Sequence, residues 1–239
     1  MFLEERYESI IELIEKKGRV TVKELSKEFN VTDDCIRKDL RELENRGCLK
    51  RVHGGAIPNR VHNEIKSVDE RKSINIEQKK KIAMRAVEVI ENGDVIFLDV
   101  STINLEIAKQ LINSNLNILV ITNMIDIVLE LSQSESIRVV SIGGEFNKKI
   151  GAIIGAEADR YISKFTFDKA FIGVCGINKE SGYISTRDIE DGNTKKTIIE
   201  NSNENYLVME NEKFNYDEFY KFATLNEITG VITETEILN

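Results

Sequence analysis

The chain has 239 residues, of which 41% are apolar and 31% charged, and its net charge is −8. This apolar content suffices for buried cores, whereas the absence of any run of about 18 apolar residues excludes a membrane span. Three scattered cysteines exclude a disulfide framework, two histidines in separate contexts predict no metal or cofactor, and the acidic N-terminus lacks a signal-peptide core. We therefore expect a cytoplasmic protein.

Apolar residues recur at helical spacing through residues 2–17 and predict a first helix that Gly18 ends. Thr21 and Glu24 have the three-residue spacing of a capping box, which predicts a second helix reaching about Phe29. Thr32 is placed to cap a third helix, which Gly47 ends. The residues from 49 to 56 then predict a short strand followed by a turn.

The third helix separates its apolar residues from its basic ones. Ile36 and Leu40 share one face with Leu43, which leaves Arg37, Lys38 and Arg41 directed toward solvent. A basic helix on a small apolar platform, followed by a basic hairpin, is typical of a winged helix-turn-helix that binds DNA. The alternative is an ordinary solvated helix face.

The acidic net charge is unevenly distributed along the chain. Residues 1–60 carry 13 basic and 12 acidic side chains, and residues 35–60 carry seven basic and three acidic ones, whereas residues 61–239 hold 20 and 29. Contact with phosphates requires local basic surface rather than overall basicity. The charge distribution is therefore compatible with DNA binding by the N-terminal part.

The rest of the chain predicts a second, larger domain. We predict a DNA-binding domain over residues 1–57, a linker over 58–73 and an α/β domain over 74–239. Near-continuous apolar strands are expected at residues 95–99, 118–122, 137–142, 167–174, 205–209 and 230–233. Helices between them, at about 82–90, 104–111 and 125–131, indicate a mainly parallel sheet covered on both faces.

Ligands of open α/β sheets bind beyond the carboxyl ends of the strands. Those ends are the segments at 99–104, 122–124, 143–145 and 173–176. A Ser/Thr-rich turn into a helix offers hydroxyl and backbone N–H groups to a phosphate, and Gly143 with Gly144 allows close approach of the backbone. Helix capping and bare turns are the alternative roles of these residues.

Four segments together resemble the N-terminal domain of the DeoR family of bacterial sugar-metabolism regulators. They are R-Y-x-x-I-I-x-L-I at 6–14, G-R-V-T-V-K-E-L-S at 18–26, C-I-R-K-D-L at 35–40 and R-V-H-G-G-A at 51–56. The second domain resembles the sensor domain of the same family, which is similar in fold to ribose-5-phosphate isomerase and CoA transferases. The resemblance implies a winged helix-turn-helix followed by an effector-sensing α/β domain.

The chain departs from the family pattern at defined positions. Thr32, Cys35 and Lys38 stand where members usually carry Ser, Thr and Arg in the third helix. In the first sensor loop, Ser101 replaces a glycine and Ile103 a hydroxyl donor.

The patterns and the resemblance together assign two sets of site residues. For DNA binding they are Thr21, Thr32, Asp33, Asp34, Cys35, Arg37, Lys38, Arg41, Lys50, Arg51, His53, Gly54 and Gly55. For the effector they are Asp99, Ser101, Thr102, Ile103, Asn104, Thr122, Asn123, Gly143, Gly144, Gly173, Gly176, Lys195 and Lys213. Only the resemblance assigns Lys195 and Lys213. Asp33 and Asp34 also suit the positive end of a helix dipole.

The main hypothesis is a non-enzymatic repressor of a carbohydrate-metabolism operon. It would bind double-stranded operator DNA as a homodimer or homotetramer and respond to a phosphorylated sugar or related metabolite. One alternative is a sugar-phosphate isomerase or transferase, with Asp99 as the acid/base candidate, which turnover of ribose 5-phosphate would reveal. Another is a regulator whose sensor domain no longer binds ligand.

Overall fold

The computed structural model describes residues 3–58, 67–216 and 218–238. The chain divides into two compact units, Met1–Glu64 and Ile65–Asn239. No helix formed by these described residues is long and apolar enough to cross a membrane.

The first unit contains three helices and three short strands within its described part. They are α1 (Leu3–Lys17), β1 (Val20–Thr21), α2 (Val22–Glu28), α3 (Asp33–Asn45), β2 (Leu49–Val52) and β3 (Gly55–Pro58). Strand β3 pairs antiparallel with both β1 and β2. Ile10, Leu25, Ile36, Leu40 and Leu49 pack in its core. The predicted winged helix-turn-helix is thereby confirmed, although the predicted start of its first helix at Phe2 lies outside the described residues.

Three predicted helix boundaries of this unit rest on local chemistry. The Thr21 hydroxyl accepts from the Glu24 N–H, and the Glu24 carboxylate accepts from the Thr21 N–H, which completes the capping box. The Thr32 hydroxyl accepts from the Cys35 N–H at 3.3 Å. Gly47 follows the C-cap of α3 with φ +75°, a left-handed conformation that favours glycine.

A buried ion pair joins α1 to α3. Arg6 donates from Nε to Asp39 Oδ2 at 2.8 Å and from Nη2 to Asp39 Oδ1 at 3.1 Å. The two side chains are only 12% and 5% exposed. The hydrogen bonds to Asp39 raise the pKa of Arg6. Asp39 therefore belongs to the interior of the unit, although it lies on the helix that exposes Arg37, Lys38 and Arg41.

The second unit begins with helices that precede its sheet. Its helices are α4 (Val68–Lys72), α5 (Ile76–Glu88), α6 (Thr102–Ile112), α7 (Ile125–Leu131), α8 (Ala156–Ile162) and α9 (Ile189–Glu200). Two short 3-10 helices cover Asn211–Asn215 and Leu225–Glu227. Of the predicted linker, residues 59–66 lie outside the described residues, whereas 68–72 form α4, and Val68 joins the core of this unit. The exact domain limits stay a prediction.

Among the described residues, seven strands form the main sheet. Its strands are β4 (Val95–Leu98), β5 (Leu119–Thr122), β6 (Arg138–Ser141), β9 (Phe167–Gly173), β12 (Ser202–Val208), β14 (Gly230–Ile232) and β15 (Ile237–Leu238). They are ordered β15-β14-β12-β9-β4-β5-β6, and all neighbours are parallel except β14 and β15. The mainly parallel sheet is as predicted.

The alternation of side chains along the strands gives the sheet two apolar faces. In β4, Ile96 and Leu98 join one core cluster, together with Ile107 of α6. Phe97 joins the other cluster, together with Ile198 of α9. Helices therefore cover both faces of the sheet, which explains why its central strands read as continuous apolar runs.

The strands that the sequence patterns miss are short or lie outside the main sheet. They are the two-residue edge strand β15 of the main sheet and, outside that sheet, β7 (Phe146–Asn147), β8 (Ala152–Ile153), β10 (Gly176–Ile177), β11 (Tyr183–Thr186) and β13 (Tyr220–Thr224). Strands β10, β11 and β13 form a separate antiparallel sheet. A two-residue strand shows no periodicity, so patterning cannot identify it.

Candidate functional site

The exposed side of α3 is the candidate DNA-binding surface. Arg37, Lys38 and Arg41 are all exposed on this helix, as predicted from the helical spacing. Arg37 Nη1 lies 2.8 Å from Asp34 Oδ1 in an ion pair whose side chains are 55% and 84% exposed. Such exposed pairs are weak, so Arg37 can exchange Asp34 for a phosphate or a base edge at little cost.

Cys35 lies at the inner edge of this surface. Its side chain is half-buried, and its Sγ atom lies 3.6 Å from Arg6 Nη2 and 3.9 Å from Asp39 Oδ2. These contacts link the thiol to the ion pair between α1 and α3. A DNA contact by Cys35 stays a prediction.

The hairpin β2–β3 presents further predicted DNA-binding residues. Lys50, Arg51 and His53 are exposed there, and the Arg51 N–H donates to the Glu44 carboxylate at 2.8 Å. Gly55 packs against β1 so closely that a Cβ atom on it would lie 2.0 Å from the Val20 carbonyl oxygen. Gly55 therefore has a packing role in addition to its predicted one.

The topology of the main sheet places the candidate effector site between β4 and β9. The chain continues from β4 to β5 and β6 on one side and later adds β9, β12 and β14 on the other. Ligands of open α/β sheets bind at such a reversal of strand order. Asp99 follows β4 and Gly173 ends β9, and the Gly173 N–H donates to Asp99 Oδ2 at 3.1 Å.

Lys195 joins this cluster from α9. Its Nζ atom lies 2.5 Å from Asp99 Oδ2 and 2.9 Å from Asp191 Oδ1, and it is 3% exposed. Thr186 donates to the other oxygen of Asp191 at 2.7 Å. The structure thus brings Asp99, Gly173 and Lys195 together, although the sequence separates Asp99 and Lys195 by almost a hundred residues.

Two carboxylates share this one lysine, and both pKa shifts follow from burial and charge. Burial raises the pKa of Asp99 to about 6, although Lys195 acts in the opposite direction. Burial acts to lower the pKa of Lys195, but Asp191 and Asp99 outweigh it, so the pKa of Lys195 is raised. Lys195 therefore stays protonated at neutral pH, whereas Asp99 titrates in the mildly acidic range.

The N-terminus of α6 adjoins the cluster and is already capped. Ser101 is the N-cap, and its hydroxyl accepts from the Ile103 N–H at 3.1 Å. Thr102 is buried at the first helical position. Asn104 donates from Nδ2 to the carbonyl oxygens of Asp99 and Phe171, which joins α6 to both β4 and β9.

Several buried polar atoms in this region have no protein partner. Within the described part of the chain, Asp99 Oδ1, Asn104 Oδ1 and both side-chain atoms of Asn123 lack one. Asn123 follows Thr122, which pairs with Leu98 at the end of β4. Buried polar groups are normally hydrogen-bonded, so an ordered water or a ligand would satisfy these atoms. Three acceptors and one donor match the hydroxyl groups of a polyol.

Other predicted effector residues lie outside this cluster of contacts. Gly143 and Gly144 follow β6, which lies two strands away from β4. They line a separate groove of about 450 Å³ together with Ser141, Glu157, Arg160, Tyr161 and Lys164. Lys213 Nζ lies 5.2 Å from the centre of the Tyr216 ring. A Cβ atom on Gly176 would lie 2.4 Å from the Tyr216 carbonyl oxygen. Effector binding by these four residues stays a prediction.

Sequence reasoning missed Thr186 and Asp191 in the cluster, as well as Arg71 and the buried Lys79, which donates to the Arg71 carbonyl oxygen. Asp191 and Lys195 have the i, i+4 spacing of a helical ion pair, so that signal was available. Arg71 and Lys79 gave no such signal. No group of three or more His, Cys, Asp or Glu side chains that could hold a metal ion occurs among the residues described.

Comparison with known proteins assigns both units to one family. A model of the DeoR-like helix-turn-helix domain matches residues 6–61, and a model of the DeoR C terminal sensor domain matches residues 74–235. The chain belongs to the DeoR family. The glycerol-3-phosphate regulon repressor of Escherichia coli (strain K12) is 32% identical over 231 residues, covering 96% of this chain and 90% of that protein. The lactose phosphotransferase system repressor of Staphylococcus aureus (strain N315) is 34% identical over 236 residues, covering 97% and 92%.

A solved structure outside the DeoR family shares the fold. Translation initiation factor eIF-2B of Pyrococcus horikoshii OT3 aligns with a TM-score of 0.50 at 16% identity, covering 99% of this chain and 89% of that one. At this identity the likeness concerns the fold alone.

Proposed function

We propose that this DeoR-family protein is a transcriptional repressor of carbohydrate metabolism, acting in the cytoplasm and controlled by a phosphorylated sugar or related metabolite. The observation that carries the proposal is the exposed basic surface of α3 on a winged helix-turn-helix in an otherwise acidic chain. The names of the two relatives, a glycerol-3-phosphate regulon repressor and a lactose phosphotransferase system repressor, support control of sugar metabolism.

In this proposal, α3 enters the major groove and the hairpin β2–β3 contacts the DNA backbone. Arg37 is the candidate for reading a base, because arginine forms bidentate hydrogen bonds with guanine, and Lys38 and Arg41 neutralise phosphates. Two reading helices about one DNA turn apart require a two-fold assembly, so a homodimer or homotetramer is proposed. The effector must bind one arrangement of the reading helices better than the other to release the operator.

Replacing Arg37 by alanine is expected to weaken operator binding by about 1–3 kcal/mol, because a bidentate contact to a base would be lost. Fluorescence anisotropy with labelled DNA from the promoters around the gene measures this. Arg138→Ala is the matched control, since Arg138 is an exposed arginine on β6 of the second unit. If Arg37→Ala binds the operator as tightly as wild type at moderate salt, Arg37 does not read a base.

Phosphorylated sugars are expected to raise the melting temperature of the full chain, whereas the same sugars without phosphate are not. A ligand that binds only the folded state stabilises it by about 2.7 kcal/mol at 100 times its Kd. Differential scanning fluorimetry with glycerol 3-phosphate, ribose 5-phosphate and fructose 6-phosphate provides the measurement. No shift at millimolar concentrations would instead favour a sensor domain that serves only assembly.

A further inference from the structure

Helix α4 carries a half-buried cation, Arg71, which has no role in the proposed function. Its Nη2 group donates to the Ile150 carbonyl oxygen at 3.0 Å. Its Nε atom is buried and has no hydrogen-bond partner among the described residues. A buried donor on a charged group is costly to leave unpaired. The arrangement therefore leaves a fixed cationic donor that suits an anion.

Helix α4 packs against α6, and Val68 of α4 shares a core cluster with Ile103 of α6. Because the first turn of α6 adjoins Asp99, Arg71 lies on the side of the second unit that holds the candidate effector site, and the charges that act on it agree with this placement. Burial lowers the pKa of Arg71, and the groups that oppose this lowering are Cys175, Asp191 and Asp99. Both of these carboxylates already pair with Lys195. Asp99 and Asp191 therefore act on Arg71 through their charge, whereas their ion pairs among the described residues are with Lys195.

The helix that carries Arg71 is held firmly at both ends. Ser67 and Glu70 form a capping box at its start, and Val68 is buried where a Cβ atom on Gly151 would collide with it. At its end, Lys79 Nζ donates to the Arg71 carbonyl oxygen at 2.5 Å. Lys79 is 5% exposed, so its ammonium group serves as a buried brace rather than a surface charge.

The other candidate for anion binding is the N-terminus of α6. There the Ser101 hydroxyl already accepts the Ile103 N–H, which removes a donor that a phosphate would use. The unpaired atoms beyond it, on Asp99, Asn104 and Asn123, are mostly acceptors. Acceptors repel a phosphate and attract hydroxyl groups. The phosphate and the hydroxyl groups of an effector therefore have different partners in this chain.

We infer that Arg71 binds the phosphate of a phosphate monoester effector, while Asp99, Asn104 and Asn123 take its hydroxyl groups. The inference rests on the proposed function, because it names the ligand chemistry of the same effector site. Since α4 is the first described helix after the segment that joins the two units, an effector bound to Arg71 also holds the part of the second unit nearest in sequence to the DNA-binding unit.

Isothermal titration calorimetry of the full chain with glycerol 3-phosphate, ribose 5-phosphate and fructose 6-phosphate tests this inference. Arg71→Gln is expected to raise the Kd of the bound ester about 10- to 100-fold, the range for losing hydrogen bonds to a charged group. Lys72→Gln is the matched control, because it removes a positive charge from the same helix where Lys72 pairs with Asp69 and Asp126. Its Kd is expected to equal that of wild type.

The titration tests the role of Arg71 and the proposed effector class separately. If wild type and Arg71→Gln bind the ester equally well, Arg71 is not the phosphate ligand, and the proposed effector class stands. If wild type binds none of the three esters, the proposed effector class itself is wrong. Hydrogen exchange of β4 and β9 peptides in Arg71→Gln without ligand is expected to match that of wild type, and this match establishes that the second unit of the variant is folded.

A crystal structure of the wild-type chain with the bound ester gives the same test without a substitution. A phosphate oxygen is expected within about 3.2 Å of Arg71 Nε. A phosphate seated instead on the N-terminus of α6 would overturn the inference, even if Arg71→Gln failed to fold.

Discussion

Replacing Asp39 by alanine is expected to lower the free energy of unfolding of the first unit by about 3–5 kcal/mol, because it leaves the buried Arg6 guanidinium without its partner. Hydrogen-exchange mass spectrometry of α1 and α3 peptides in the full chain measures this loss locally. Operator binding should fall with it, since α3 would lose its attachment to α1.

Asp34→Ala is the control for Asp39→Ala, because Asp34 lies on the same helix but is 84% exposed. Its effect on stability is expected to stay below about 1 kcal/mol. Replacing Arg6 and Asp39 together by apolar residues of similar size should recover much of the loss, since neither buried charge remains. A loss below about 1 kcal/mol in Asp39→Ala would contradict a structural role for the pair.

Replacing Lys195 by methionine is expected to lower the stability of the second unit by about 3–5 kcal/mol at neutral pH. The variant keeps two buried carboxylates, Asp99 and Asp191, without the cation between them. Hydrogen exchange of peptides from β4 and β9 reports the loss. Lys196→Met is the control, because the adjacent Lys196 is 37% exposed and pairs with Glu200 and Glu227 at the surface.

The loss in Lys195→Met should depend on pH with a defined sign. Burial raises the pKa of Asp99 from 3.8 to about 6. The stability that proton binding to Asp99 contributes to the folded state is therefore fully present below pH 3.8 and is lost as the pH rises through 6. Without Lys195 that pKa rises further, and Asp99 is protonated at a higher pH. The difference between variant and wild type should therefore be smaller at pH 5.5 than at pH 7.5. An equal difference at both values would mean that Asp99 does not titrate in this range.

The features that depend on neighbouring residues could be predicted from the sequence. The Thr32 cap and the glycine end of α3 at Gly47 follow from backbone chemistry within a few positions. The apolar strand at 95–98 and the helix at 125–131 likewise follow from short periodic patterns. Family resemblance added Lys195, which looks like a surface lysine when considered alone.

The features that depend on the order of the strands could not be predicted. Gly143 follows the third strand of the second unit in sequence, yet β6 lies two positions from β4, whereas β9, much later in the chain, is its direct neighbour. Asp39 and Arg71 look like solvated charges in a polar stretch, and only tertiary packing buries Asp39 and the Nε atom of Arg71. Charged residues are rarely buried unless they are paired, so no local pattern identified either of them.

The adjacency of β4 and β9 also sets the order in which the two units can fold during translation. The described contacts of the reading helix α3 lie within the first 58 residues, so its unit can assemble early in translation. The sheet must wait for β9, because Ile96 pairs with Lys169 in its central register. Domains generally fold as units during synthesis, the N-terminal one first. The DNA-binding unit of a nascent chain can therefore fold before the sheet of the second unit is complete.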